Sequence, residues 1–230
     1  MGKLIVIEGL DASGKGTQSE ILLKTLQEKG FDAYGISLPN YDDNSSALVK
    51  MYLAGEMGTN PSDVNAFAAS TFFAVDRYAS FKKFWNKQYD GDKIIDANRY
   101  TTSNASHQMT KLSEEKWDFY LDWLFDFEYN LLEIPKPDCV VFLDMPVEVS
   151  QKLLLKRNNN DESKKDVHES DVEYLKNCHK AANYAAKKLG WSVVSCVKDN
   201  EIRTIDDIAK EVYALIEKEL LNARISRSNG

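Results

Sequence analysis

The sequence predicts an α/β domain in which a parallel sheet is covered by helices on both faces. Two observations carry this. Short β-branched runs alternate along the chain with longer stretches whose apolar residues recur at helical spacing, and parallel strands need such crossovers. The first strand-like run also passes directly into a glycine-bounded loop and then a helix. A length of 230 residues suits one domain of this kind with an ample core, and no proline-rich linker or internal repeat divides it.

The opening run begins at Lys3, and Ser19 to Lys29 is helical; between them lies Glu8-Gly9-Leu10-Asp11-Ala12-Ser13-Gly14-Lys15-Gly16-Thr17, with G-x-x-x-x-G-K spacing. Glycines at 9 and 14 let the backbone adopt conformations that a Cβ would forbid. Successive N–H groups can then face an anion that also meets the positive end of the helix dipole, and Lys15 adds a mobile charge. A turn that merely carries glycines would explain neither the spacing nor the buried strand before it. One residue is off pattern. Where serine or threonine usually follows the lysine and meets Mg2+, this chain has Gly16, with Thr17 one step later.

Phe31 to Leu38 reads as the second strand, closed by Pro39. Ser45 to Ala54 is helical, and Asn60-Pro61-Ser62-Asp63 starts a helix that continues over Val64 to Trp85, with proline just inside the cap. Lys93 to Ala97, Asp138 to Leu143 and Trp191 to Val197 are the remaining strands. Helices are expected over Ser103 to Lys111, Trp117 to Leu132, Val147 to Leu155, Asp171 to Leu189 and Ile205 to Leu221. The polar run Asn158 to Asp166 between two helices reads as a mobile segment, and 224–230 as a frayed tail, leaving 1–223 as one domain.

A net charge of −7 argues against a polyanion-binding surface, so nucleic acid is not expected as a standing partner. Basic charge must be concentrated in a local cleft. Cys139, Cys178 and Cys196 lack C-x-x-C spacing, no run is long enough to span a membrane, and a reducing cytoplasmic setting is expected. His168 and His179 have no partners at metal-ligand spacing. On Trp117 to Leu131, Trp117, Tyr120, Trp123, Leu124, Phe127 and Leu131 form a broad apolar face, opposite aspartates at 118, 122 and 126; such a face reads as core or as a subunit contact.

Arginine is used sparingly. Before position 200 it occurs only at 77, 99 and 157, although lysine is plentiful. Bidentate guanidinium suits phosphate, so these positions are candidates for gripping an anion. Arg77 follows Phe73 by one helical turn, placing a ring and a cation on one side; this fits a mononucleotide cradle, or equally a core ring beside a solvated Asp76–Arg77 pair. Arg99 follows the third strand at the carboxyl edge, where open α/β sheets bind ligands. Beyond it, Ser103 precedes a face shared by Asn104, His107 and Gln108, able to read a base edge or simply to present a polar surface.

Taken in order, Glu8-Gly9-Leu10-Asp11, Phe73-Ala74-Val75-Asp76-Arg77, Asn98-Arg99-Tyr100 through Ser103-Asn104, and Pro137-Asp138 through Leu143-Asp144-Met145-Pro146 resemble the signatures of thymidylate kinase across nearly the whole chain. The resemblance implies a three-layer P-loop kinase fold, with a five-stranded parallel sheet, a mobile lid at about 157–169, and usually a homodimer. It implies transfer of the γ-phosphoryl of ATP to dTMP, giving dTDP. The ATP phosphates would lie against Gly9, Ala12, Ser13, Gly14, Lys15, Gly16 and Thr17, with Lys15 bridging them. Asp11 would hold the acceptor's 3′-hydroxyl, Phe73 would stack on thymine, and Arg77 would hold the acceptor phosphate. Arg99, Ser103, Asn104 and Gln108 would complete that pocket.

This chain departs from the resembled pattern at several positions. Asn98 stands where aspartate is common and Gly16 where a hydroxyl is common, so Mg2+ is expected to be held mainly by nucleotide oxygens and water, near Glu8, Asp96 and Asn98. Asn40 replaces an arginine, and His107 replaces an aromatic residue beside the sugar. Ala12 stands where some members carry a transition-state arginine. The missing cation is then expected from the lid, with Arg157, Lys164 and Lys165 as candidates. The rival readings are a kinase for another nucleoside monophosphate and a weakly active nucleotide-binding module.

Overall fold

A computed structural model describes residues 2–157, 172–199 and 201–228, without the side chains of 157 and 220–228. The main sheet has strands β1 (Lys3–Gly9), β2 (Ala33–Ser37), β3 (Ile94–Asn98), β4 (Cys139–Asp144) and β5 (Ser192–Ser195) in the order β2-β3-β1-β4-β5. Every pairing is parallel. Successive β1 side chains point to opposite faces. Ile5 and Ile7 pack with Leu22, Leu26, Val212 and Ile216, while Leu4 and Val6 pack with Phe81, Trp85 and Tyr100. Both faces are therefore buried, as the near-continuous apolar run from Leu4 to Ile7 requires.

The helices are α1 (Lys15–Glu28), α2 (Ala47–Leu53), α3 (Ala66–Ser80), α4 (Asn86–Asp90), α5 (Thr102–His107), α6 (Trp117–Phe125), α7 (Val147–Arg157), α8 (Val172–Leu189) and α9 (Ile205–Ser228). Four differences from the sequence expectation occur along the chain. The helix expected to begin at Pro61 is instead a separate 3-10 turn, Pro61–Asp63. Val64 is extended, and the Asn65 side chain caps α3 by accepting from the Ala68 N–H at 2.9 Å. Helices α3 and α6 each continue into a π-helical turn, Phe81–Trp85 and Asp126–Leu131. After β5 the chain forms a small antiparallel hairpin, β6 (Val197–Lys198) and β7 (Glu201–Ile202), that the fifth apolar run did not announce. The last helix reaches Ser228, so the backbone of 224–228 is helical where a frayed tail was expected.

The aromatic face of α6 divides. Trp117, Tyr120 and Leu124 are core, whereas Leu131 is 70% exposed. All three cysteines are free and buried, and burial pushes each thiol up to about 12. No described helix is long and apolar enough to cross a membrane.

Candidate active site

The carboxyl ends of β1 and β3 open on a cavity of about 570 Å³. On one wall are Asp11, Ala12, Gly14, Lys15, Gly16 and Thr17 of the phosphate loop. Its backbone depends on glycine at two points. A Cβ at Gly9 would lie 2.5 Å from the Ser13 hydroxyl and 3.0 Å from the Leu143 carbonyl, and Gly14 caps α1 at φ +90. Ala12 adopts φ 58. Gly9 and Ser13 themselves shape the loop from behind, Ser13 being only 3% exposed. Lys15 is 7% exposed and donates to the Leu10 carbonyl at 2.7 Å, with Asp11 at 3.8 Å.

The facing wall holds Phe73, Arg77, Arg99, Ser103, Asn104, His107 and Gln108, so these sequence candidates converge on one space. Phe73 is only half-buried and meets Tyr52 edge-on at 6.2 Å, which leaves it part of the cavity wall. Gln108 is 1% exposed, and its Oε1 has no hydrogen-bond partner among the described residues. Asn104, by contrast, donates through Nδ2 to the Ser70 carbonyl and to Glu128, each at 3.3 Å.

Arg99 leaves β3 in the left-handed region at φ 68. Its guanidinium donates to Asp11, to Ser103 Oγ at 3.3 Å and toward His107 Nε2 at 3.3 Å. Burial opposes its charge, but the carboxylates of Asp11 and Glu8 outweigh it and hold the guanidinium above its ordinary pKa. Glu8, fully buried, accepts from the Gly9 N–H at 2.9 Å, Thr102 Oγ1 at 2.8 Å and Ser103 Oγ at 2.7 Å.

The solvated Asp76–Arg77 pair is replaced by two separate buried arrangements. Asp76 accepts from the Asn40 N–H at 2.9 Å and Ser45 Oγ at 2.8 Å, tying the segment after β2 to α3. Arg77 is 3% exposed and pairs with Glu128, which is fully buried; Nε and Nη2 donate to its two oxygens, each at 2.6 Å. Burial disfavours the Arg77 cation, and the neighbouring Glu128 carboxylate more than compensates, raising its pKa.

Glu128 was missed by the sequence reading. A signal existed: it continues the buried spacing of Leu121 and Leu124, so a carboxylate falls on an apolar stripe.

On the metal side, the two off-pattern residues are neighbours. A Cβ on Gly16 would lie 3.8 Å from Asn98 Nδ2, which donates to Ser37 Oγ at 3.1 Å. Asn98 Oδ1 is buried with no hydrogen-bond partner among the described residues. Asp96 is fully buried beneath it on the same strand and accepts from Ser19 Oγ at 2.7 Å; burial pushes its carboxyl up to about 7 against that hydrogen bond. Among the described residues no group of three or more His, Cys, Asp or Glu could hold a metal. His179 pairs with Asp144 at 2.6 Å.

Arg157 ends α7, and its side chain lies outside the described residues, as do Lys164, Lys165, His168 and most of the lid expected at about 157–169.

The comparisons with known proteins agree with one another. A protein of Thermococcus gammatolerans described as a probable thymidylate kinase is 28% identical over 224 residues, covering 96% of this chain and 99% of that relative. The thymidylate kinase of Mycobacterium tuberculosis is 30% identical over 172 residues, 74% of this chain and 79% of its own. The solved thymidylate kinase of Candida albicans has the same fold, with a TM-score of 0.68 at 20% identity over 94% of this chain and 92% of that one. A family model described as thymidylate kinase matches residues 7–207. The chain belongs to the thymidylate kinase family.

Proposed function

We propose that the protein transfers the γ-phosphoryl group of ATP to dTMP, giving dTDP. The observation that carries this reading is the single cavity in which the phosphate loop faces Arg77 and Arg99. Two polyanions must be brought in line while negative charge moves from one to the other, and the protein contributes positioning and countercharge. Loop amides and Lys15 hold the donor phosphates. Arg77 and Arg99 hold the acceptor phosphate, Asp11 meets the acceptor sugar, and Phe73 offers its ring to the base. The buried, unpartnered Gln108 amide oxygen suits the imino N–H of thymine. Arg157, with Lys164 or Lys165, supplies the transition-state cation in place of the loop arginine absent at Ala12.

The donor set fits Mg2+ held largely by nucleotide oxygens and water. Asn98 and Asp96 each offer one buried oxygen without a hydrogen-bond partner among the described residues, Gly16 offers none, and Glu8 and the other Asp96 oxygen are engaged by hydroxyl or amide donors. Bound there, the ion would neutralise the donor phosphates. We place the enzyme in the cytoplasm as a homodimer. The dimer reading is supported by apolar side chains left exposed on α2, α3 and α6, namely Leu48, Met51, Val75, Tyr78 and Phe119.

The test is coupled ADP detection with ATP and a panel of dTMP, dUMP, dCMP, UMP and AMP, with and without excess chelator. The highest kcat/KM is expected with dTMP, and chelator is expected to abolish turnover. Preference for AMP or UMP would overturn the substrate, nucleotide binding without turnover would overturn the activity, and full rate in chelator would overturn the metal.

A further inference from the structure

Phe73 is half-buried on the cavity wall, and what holds its ring lies behind it. Tyr52 of α2 is 1% exposed and meets two consecutive rings of α3, Phe73 at 90° and Phe72 at 56°, with centroids 6.2 Å away in each case. Consecutive side chains on a helix point about 100° apart, so a ring set against both blocks rotation of α3 about its axis. The edge contact also sets the plane of the Phe73 ring. Tyr52 is itself held at its far end. Lys111 Nζ donates to the Tyr52 hydroxyl and to the Val64 carbonyl, each at 2.8 Å. Lys111 closes the 3-10 turn Met109–Lys111 that follows Gln108, and Val64 leads into α3. One ammonium therefore joins the three segments that bring Leu53, Phe73 and Gln108 to the cavity.

A lysine is a costly choice there. No carboxylate among the described residues sets its charge, and burial lowers its pKa to about 8, with the Cys178 thiol opposing the shift only in part. Methionine or leucine would fill the space without that cost. Packing alone does not account for the ammonium; the two oxygens it joins do. We infer that Lys111 and Tyr52 are positioning residues for the base of the acceptor: the ammonium fixes the phenol, and the phenol ring holds Phe73 where a pyrimidine can lie against it. The inference rests on the reading of Phe73 as the ring that receives the base. Neither Tyr52 nor Lys111 lines the cavity, so both act through Phe73. The effect is large enough to matter, because a gap of about 0.5–1 Å forfeits roughly a quarter to a half of the dispersion attraction across a contact.

The test measures KM for dTMP and for ATP, and the Kd of thymidine, in the full-length protein. Tyr52→Phe removes only the hydroxyl, and Lys111→Met keeps an unbranched stem. Each change is expected to raise the dTMP KM about fivefold and the thymidine Kd by the same factor, with KM for ATP within about twofold. In the Lys111→Met background Tyr52→Phe is expected to add nothing, since both remove one hydrogen bond. An unchanged dTMP KM in either variant overturns the inference, as do additive losses in the double variant. An equal rise for ATP, which is a general structural loss, also overturns it, and so does a thymidine Kd that stays put while the dTMP KM rises. Phe73→Leu tests the underlying reading: if the thymidine Kd is unchanged there, Phe73 does not receive the base, which is a separate outcome. Should Lys111→Met not fold, Tyr52→Phe decides alone by the same values.

Discussion

At the scale of single residues, the buried Asp96 carries a definite pH signature. Its carboxyl is pushed up to about 7 in the folded protein by burial, from an ordinary value of 3.8. A raised carboxyl pKa means that the folded state holds a proton which the unfolded chain has already released. Between about pH 4 and about pH 7 the unliganded protein should therefore lose stability as pH rises, by about 1.4 kcal/mol per unit from this group. Asp96→Asn removes the titration and is expected to flatten that slope, with higher stability at pH 8; urea midpoints between pH 5 and 8 check it. An unchanged slope would show that Asp96 is not the titrating group. The phosphate loop and the Phe73, Arg77, Arg99 and Gln108 candidates were legible because residue type and spacing report chemistry directly. The partner of Arg77 was not, since Glu128 lies 51 positions away. Nothing local in the sequence joins a guanidinium on one helix to a carboxylate on another.

At the scale of elements, the strands are legible because apolar β-branched runs have few alternatives, and each of the five overlaps a run expected from the sequence, with β3 and β4 running one residue further, to Asn98 and Asp144. The helix bearing Phe73 and Arg77 was read as starting too early. Proline at the first position is a good start signal, yet the cap that opens α3 is Asn65, after an extended Val64. Asn65→Ala is expected to cost about 1 kcal/mol and Asn65→Asp little, by denaturant unfolding at constant slope. Equal loss in both variants would mean that the side-chain oxygen is not the cap. The π-helical turns after α3 and α6 escaped for a different reason. One extra residue per turn leaves the apolar spacing nearly intact, so periodicity cannot report it.

At the scale of the whole molecule, apolar residues on neighbouring helices remain uncovered. Phe119 is 63% exposed although its ring lies 6.3 Å from that of Phe67 on α3, where Val75 is 45% and Tyr78 39% exposed. Sedimentation at micromolar concentration is expected to give twice the chain mass of 26.1 kDa. Phe119→Asp is expected to shift the species toward the single chain; a wild-type protein that sediments singly at that concentration contradicts the homodimer. One contact bears on the geometry of the reaction itself. Glu8 accepts from the amide of Gly9 on one side and from the hydroxyls of Thr102 and Ser103 on the other. The phosphate loop and the start of α5 are thus gauged from a common buried side chain, so the gap between these two walls of the cavity is a built-in length of the scaffold, not the chance meeting of independent parts.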